Sequence, residues 1–473
     1  MRKNILYIVM GFLTVGCKSL ETNLHVAENP LPTTYNITND STGIEQLNWK
    51  DYFSDSLLIA LIDTAINRNY DLQMSMQRIE MARAGVRLAK GQQLPVVDGV
   101  TSFSQFGFGE NSADWAGNEG GTFADGSTLN RTAVPDYYLG LQASWEADVW
   151  GKLKNQKRAA LANYLASVEG TQFVVTNLIA EIAISYFDLL ALDNELEIIR
   201  ETIQKQEEAL EVVKANKEVG RASALAVQQF QAQLLDTRAL DRATCQLIAQ
   251  TENRINFLLG RYPQPIVRSG YFNNASIPEY INHGIPSNLL ENRADIREAQ
   301  QFVEASRFDL KAAKAAFYPS LTINAGIGLQ AFKPQYLIEG PSSIAYGLIG
   351  QLAAPLVNRN AIKAQFQGAK ANQLEAIYRY QQTVLNGYTE VYNELIFLDN
   401  QREIVNYSTE ENEVLQMSVE TSYELYRSGK ASYLEVLIAQ QNALEAQIEL
   451  IRDKRELQIS LVNLYRALGG GWD

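Results

Sequence analysis

Between Arg293 and Asn358 the hydrophobic period of the chain changes twice. Arg293 to Phe317 has helical spacing, and Pro319 stops it. Leu321, Ile323, Ala325, Ile327, Leu329 and Ala331 then alternate with Thr322, Asn324, Gly326, Gly328 and Gln330. That is the period of two of a strand with one apolar face. A turn-rich break covers 333–341. A second alternating run follows, with Ile344, Tyr346, Leu348, Gly350, Leu352 and Ala354, until Pro355 ends it and helix resumes near Ala361. No charge falls between Pro319 and Phe332. The predicted unit is helix, proline, strand, loop, strand, helix.

The same order occurs earlier. A helical pattern runs from Asn69 to Gln93 and ends at Leu94-Pro95. Strand composition follows at 96–108, with weak alternation. A polar, Gly- and Asp-rich loop fills 109–135, and a clear alternating strand carries Tyr137, Leu139, Leu141, Ala143 and Trp145. Pro95 and Pro319 lie 224 positions apart, as do Asp71 and Asp295. Leu192-Asp193-Asn194 and Leu398-Asp399-Asn400 are offset by 206, and Gly220-Arg-Ala-Ser and Gly429-Lys-Ala-Ser by 209. Landmarks in step over so long a stretch imply an internal duplication.

Helices after each strand pair are predicted to be very long. Between Lys152 and Glu218 there is no Pro and one Gly, Gly170. Such a helix reaches about 100 Å at about 1.5 Å per residue. Ile182, Tyr186, Leu189, Leu196, Ile199, Ile203, Leu210 and Val213 have the spacing of helices packed side by side. Val219-Gly220 ends this helix and another returns from 222 to about 259. In the second copy, 361–427 breaks at Ser428-Gly429 and returns over 431–468. Glycine suits the left-handed residue after a helix. The expected organisation is a signal segment at 1–16, an extended arm at 17–54, a first repeat at 55–260, a linker at 261–290 and a second repeat at 291–473. The predicted strands are 95–108, 136–148, 319–332 and 343–356.

Composition narrows the classes. The chain has 473 residues, 46% of them hydrophobic, and a formal net charge of -13. That acidity argues against nucleic-acid partners. Two Cys and two His leave no disulfide framework, metal-ligand spacing or cofactor site to read. No Gly-rich phosphate loop, HExxH or Gly-x-Ser-x-Gly occurs, so no enzyme activity is expected. Arg2-Lys3 followed by a short apolar run reads as a secretory signal. Thr14-Val15-Gly16-Cys17 resembles a bacterial lipoprotein lipobox, with Thr14 where Leu is usual. Cys17 is thus the expected lipidation site, with an acyl (palmitate-type) anchor. An ordinary signal with an incidental Cys is the alternative.

Four strands with an apolar face suit a bilayer only in a closed barrel, because an open edge in lipid leaves backbone groups unpaired. Known barrels have about eight strands or more. One chain supplies four, so several copies must pool them. Taken singly, alternating strands suit half of a soluble sandwich, and long heptad helices suit a periplasmic coiled-coil interaction protein. The signal, the strands and the duplication together favour a channel.

At several places the sequence resembles one family. Leu290-Glu-Asn-Arg-Ala-Asp-Ile-Arg-Glu-Ala-Gln is similar to that family's Arg-Pro-Asp-Ile-Arg segment, with Ala294 in place of Pro. Ala316-Phe-Tyr-Pro-Ser-Leu and Trp145-Glu-Ala-Asp-Val-Trp-Gly-Lys-Leu are similar to its helix–strand junctions. Tyr426-Arg-Ser-Gly-Lys-Ala-Ser-Tyr-Leu-Glu-Val-Leu is similar to its periplasmic hairpin tip. The chain from about 50 to 470 thus resembles the TolC-like outer membrane efflux proteins, in the NodT-type lipoprotein branch of tripartite (RND) pumps. The resemblance implies a mainly α fold with membrane β: a homotrimer with a 12-stranded β-barrel continuous with a 12-helix periplasmic α-barrel, and the linker in an equatorial belt. It implies a passive exit duct in the outer membrane of a Gram-negative bacterium, fed by an inner-membrane RND-type pump through a periplasmic adaptor. A duct of type I protein secretion is the alternative within the same architecture. Carried across, Val219, Gly220, Arg221, Ser428, Gly429 and Lys430 are the adaptor contacts, and Leu434, Glu435, Ile438 and Gln441 are the periplasmic gate. Ile438 stands where relatives often have Asp, and Gln441 where some have Arg, so the charged ring reduces to Glu435. A solvated helix residue is the plain alternative for Glu435, and a capping turn is the alternative for the tips.

Overall fold

The structure is a computed structural model that describes residues 30–35, 48–117, 134–269, 286–357 and 359–470, with Thr122, Gly126 and Thr128. The expectations for the signal segment, Cys17, about half of the 109–135 loop and most of the linker lie outside the described residues. After a helical turn at Trp49–Tyr52, the elements are α1 (Ser56–Arg68), α2 (Tyr70–Gly91), β1 (Val96–Phe106), β2 (Val134–Ala147), α3 (Lys152–Glu218), α4 (Ala224–Leu258), α5 (Ala294–Ala315), β3 (Ser320–Ala331), β4 (Ile344–Ala353), α6 (Asn360–Arg427) and α7 (Tyr433–Ala467). The duplication is visible in this order: two helix–strand–strand–long-helix–helix copies.

The chain divides into two compact units. One is built from 81–164 and 302–377 and the other from 27–80, 165–301 and 378–473. The first holds one four-stranded antiparallel sheet in the order β1-β2-β3-β4. The hairpins of the two repeats therefore join edge to edge, with Leu139 opposite Leu329 and Leu141 opposite Ile327. The strand whose sequence alternated least, β1, pairs with β2 over its full length, from Val96 opposite Ser144 to Phe106 opposite Val134. Backbone pairing with a strongly patterned neighbour fixes the register that its own side chains specify weakly. β2 begins at Val134, two residues before the predicted start, and so takes in Pro135. Pairing of β2 with β3 starts only at Tyr137, so Pro135 removes no ladder donor needed on that side.

Two stretches expected to lack regular structure contain helix. Ala113–Gly117 is a short helix inside the predicted loop, and Trp49–Tyr52 lies inside the predicted arm. The arm is also anchored: Tyr35 is buried and stacks on Tyr388 with centroids 5.5 Å apart. The linker ends in a 3-10 turn at Pro286–Asn288 and a short helix at Leu289–Asn292.

The helical unit carries the largest core. Leu58 and Ile62 of α1 pack with Ile182, Tyr186 and Leu189 of α3, Ile296 of α5, Val391 of α6 and Leu464 of α7. Tyr52 stacks on Tyr465 at 4.2 Å and donates its hydroxyl to the carbonyl of Leu461 at 3.0 Å. Truncating one such leucine to Ala costs about 2–5 kcal/mol. The predicted seam of α3 is the buried one: Ile182, Tyr186, Leu189, Leu196, Ile199, Leu210 and Val213 are inside. One 18-residue window of α3 is apolar enough to cross a membrane, but 61% of it is buried in this packing. Its hydrophobicity is used between helices. Asp55 links three segments: it caps α1 through Leu57 N–H (2.8 Å) and accepts from the Tyr186 hydroxyl (2.7 Å) and from Ser269 Oγ (3.1 Å). Arg268 fixes the linker by bonding Asp193 Oδ1 (2.9 Å) and Glu252 (2.6 Å).

Candidate functional site

The sheet has two unlike faces. The pairing places Tyr137, Leu139, Leu141, Ala143 and Trp145 beside Leu321, Ile323, Ala325, Ile327 and Leu329, and these beside Ile344, Tyr346, Leu348 and Leu352. This face is apolar across three strands yet open: Tyr346 is 85% exposed and Leu348 75%. The other face carries Asp98, Asp136, Gln142, Ser144, Asn324, Gln330 and Gln351. A sheet of a water-soluble protein buries its apolar face against another layer. β4 is exposed along nearly its whole length on both faces.

Aromatic rings flank the apolar band at both ends. Trp150 stacks on Tyr318 at 4.9 Å and donates Nε1–H to the Pro319 carbonyl at 2.7 Å. Trp145 donates Nε1–H to the Gln93 carbonyl at 3.0 Å. At the other ends of the strands, Phe103 meets Tyr137 at 4.8 Å and Phe332 meets Tyr336 at 5.2 Å. Such girdles mark the two interfaces of a membrane barrel. On the polar face, Gly140 and Gly328 sit opposite each other so closely that a Cβ on Gly140 would lie 2.5 Å from the Ile327 carbonyl oxygen. Only glycine allows that approach, and it lets the sheet curl there.

The two helix breaks in the helical unit are near copies. Gly220 has φ +73 and Gly429 has φ +72, the left-handed conformation that favours glycine. Arg221 N–H donates to the Asn216 carbonyl at 2.7 Å, and Lys430 N–H to the Leu425 carbonyl at 2.8 Å. The next helix starts at Ser223 in one and Ser432 in the other, with φ, ψ of -86, 160 and -85, 159. Val219, Gly220, Arg221, Ser428, Gly429 and Lys430 are all exposed. The same turn conformation thus presents one cation at each break.

Leu434, Ile438 and Gln441 lie at i, i+4 and i+7 of α7 and are exposed, while Val436, Leu437 and Ala439 are buried. They form one open stripe. Glu435 is exposed and also caps its own helix. Its carboxylate accepts from Ser432 N–H at 2.5 Å and Ser432 Oγ at 2.9 Å, closing a capping box. These bonds to Ser432 hold its carboxyl below the usual carboxylate range. No grouping of three metal-ligating side chains occurs among the described residues.

Sequence reasoning missed an ion network in the helical unit. Arg293, almost fully buried, holds Asp295 through Nε (3.0 Å) and one terminal nitrogen (2.8 Å). Its other terminal nitrogen meets Glu390 at 2.7 Å and the Ala467 carbonyl at 2.7 Å. Arg466 reaches Glu390 at 2.8 Å, and Arg297 reaches Glu169 at 2.8 Å. This network joins the start of α5 to α6 and α7. Beside it, burial pushes the Glu394 carboxyl up to about 7, with Glu390 adding to the rise and Arg466 opposing it. The signal in the sequence was the motif Arg293-Ala-Asp-Ile-Arg itself, whose partners lie about a hundred residues away.

An apolar sheet with aromatic girdles, fused in one chain to paired long helices, defines an outer-membrane channel protein. The chain belongs to the outer membrane efflux protein family, whose model matches residues 61–261 and 285–470. It is similar to a probable outer membrane lipoprotein, SilC, of Salmonella typhimurium, at 27% identity over 99% of this chain and 98% of that one. It is also similar to the cation efflux system protein CusC of Escherichia coli O6:H1, at 28% identity over 99% of this chain and 98% of the relative. Crystal structures of CusC align with a TM-score of 0.84 at 26% identity, over 95% of this chain and 99% of that one. The protein is an outer-membrane efflux duct, mainly helical with a four-stranded membrane part.

Proposed function

We propose that three copies of this chain assemble into the exit duct of a tripartite pump, linked to an inner-membrane transporter by a periplasmic adaptor. One observation carries this reading: a four-stranded sheet with an open apolar face and, among the described residues, no neighbour along the outer edges of β1 and β4. A bilayer does not tolerate such edges, and β1 of one copy can pair with β4 of the next until the ring closes. Three copies supply twelve strands. The girdles then mark the two interfaces, and the polar face lines the passage. The two glycine turns, with Val219, Arg221, Ser428 and Lys430, serve as docking points for the adaptor. Leu434, Glu435, Ile438 and Gln441 form the closing rings of the gate, and Glu435 also stiffens the helix start that carries them.

The test is the mass and conductance of the purified, detergent-solubilised protein. A trimer that forms discrete channels in a planar bilayer is expected. A monodisperse monomer without conductance refutes the reading. Lipid attachment at Cys17 belongs to the same proposal: Cys17→Ser abolishes acyl labelling, and persistent labelling refutes it.

A further inference from the structure

The chain is strongly acidic, with a formal net charge of -13, but the helices next to the strands are not. Residues 81–97 hold three cations and no acid, and residues 152–168 hold Lys152, Lys154, Lys157 and Arg158 and no acid. Residues 355–374 hold Arg359, Lys363 and Lys370 and no acid. On α2 the cations are Arg83, Arg87 and Lys90, at i, i+4 and i+7, so they share one stripe. On α5, Arg307, Lys311 and Lys314 repeat that spacing, each 224 positions later, while Ala84-Gly85-Val86 has become Phe308-Asp309-Leu310. Lys157 and Lys363 recur at the 206 offset. Both halves of the duplication have kept these charges.

Ion pairing inside the unit engages some of them: Lys152 meets Glu146 at 2.6 Å and Arg307 meets Glu304 at 3.4 Å. Like charges at i, i+4 repel. Lys311 lies near both Arg307 and Arg158; desolvation, with these two cations behind it, lowers its pKa, and Glu304 offsets part of the effect. The cations on α2 and α5 lie toward helix C-termini, where the dipole favours them, but those at the start of α3 and α6 oppose it. Other heads rest on rings. Arg158 and Lys311 lie 5.5 and 5.3 Å from the Phe308 centroid, and Arg359 lies 5.3 Å from that of Phe317. Their level is uniform. Lys90 and Lys314 each stand six residues before a strand, Lys152 five after β2 and Arg359 six after β4. All four positions adjoin the sheet edge that carries the Trp150–Tyr318 stack. The opposite end has Glu110, Asp114, Asp136 and Glu339 near it, with Lys333, while Glu146 and Asp148 stand among the cations.

We propose that these cations form a collar that binds the phosphates of anionic phospholipids in the leaflet facing the helices. The inference rests on the sheet spanning a bilayer. Basic residues just outside a membrane segment are attracted to anionic headgroups over roughly a Debye length. A ring of them beside an aromatic girdle fixes how deep the barrel sits.

The experiment uses the full-length protein in neutral detergent, with phosphatidylglycerol and phosphatidylcholine as probes and retained lipid counted by native mass spectrometry. Wild type is expected to retain phosphatidylglycerol preferentially, less so at raised salt. The triple variant Arg307→Gln, Lys311→Gln, Lys314→Gln loses roughly tenfold or more of that preference, and Arg307→Lys with Lys311→Arg and Lys314→Arg keeps it. Equal retention of the two lipids by wild type overturns the collar. So does a triple variant that keeps the lipid preference while shifting the reversal potential of the channel, because the cations then face the passage. Wild-type conductance separates the two readings: a conducting channel without lipid preference removes only the collar, whereas no conductance removes the membrane reading.

Discussion

The two helix breaks, at Gly220 and at Gly429, have the same backbone and different chemistry after it. Each places a left-handed glycine after a long helix and a serine before the next. At the first break Ser223 Oγ accepts from Ala226 N–H at 3.1 Å and the cap ends there. At the second, the residue three after the serine is Glu435, which reaches back to Ser432. The shared parts are what any chain reversal between helices needs: a residue with positive φ and a side chain for the orphan N–H groups. The unshared part is a carboxylate that closes a capping box on a helix that also exposes Leu434 and Ile438. Duplication supplied two equal turns, and only the second carries the added acid.

The largest effect is expected from the shared part. Gly220→Val and Gly429→Val each force a β-branched residue to positive φ, costing about 1–3 kcal/mol at the turn. Faster amide exchange confined to the mutated turn and loss of pump-dependent export, with assembly retained, are the outcomes; unchanged export removes that turn from adaptor docking. A second comparison between the halves involves half-buried acids 206 positions apart, Asp188 and Glu394, both raised chiefly by desolvation. Because folding favours the protonated form, the stability each gives is complete below the unfolded value and lost as pH rises through the folded one. For Glu394 that window runs from its ordinary 4.5 to about 7. Glu394→Gln is expected to flatten the fall in melting temperature across it. Asp188→Asn flattens it less, because Arg455 at 3.6 Å already offsets the burial of Asp188.

Smaller effects separate the caps. Ser223→Ala and Ser432→Ala should each loosen the following helix by about 1 kcal/mol, read as local exchange. Last, the second turn alone should respond to acid. The Glu435 carboxyl is held below the usual range by Ser432, so its cap is intact above the unfolded pKa and is lost as pH falls through the folded one. Exchange over 428–440 should rise in that range while 219–231 stays unchanged. Equal responses would show that the capping box contributes nothing. Glu435→Ala should also raise leak conductance or alter cation preference; if neither changes, the gate lies elsewhere.

How much was legible in the chain varied with the range of the interaction. Period two gave β2, β3 and β4 to within a few residues, because each side chain had to choose a face. β1, whose alternation was weak, was defined by its partner strand. The helix ends were visible because Gly220 and Gly429 act within one turn of themselves. The Arg293 network was not, because Glu390 and Ala467 approach only after α6 and α7 pack against α5. The capping contact of Glu435 was not legible for a related reason: a surface acid and a capping acid look alike until the serine three residues earlier is seen at the helix start.

The sequence by itself determined the duplication, the element types, the apolar and polar faces of the strands and the glycine turns, since these depend on neighbours within a few residues. Tertiary structure alone decided that the hairpins of the two halves join into one sheet. It alone buried the seam of α3, tied Tyr35 and the linker to the helices, and set Arg293 among carboxylates. Each of these depends on groups far apart in the chain, whose pairing no local period encodes.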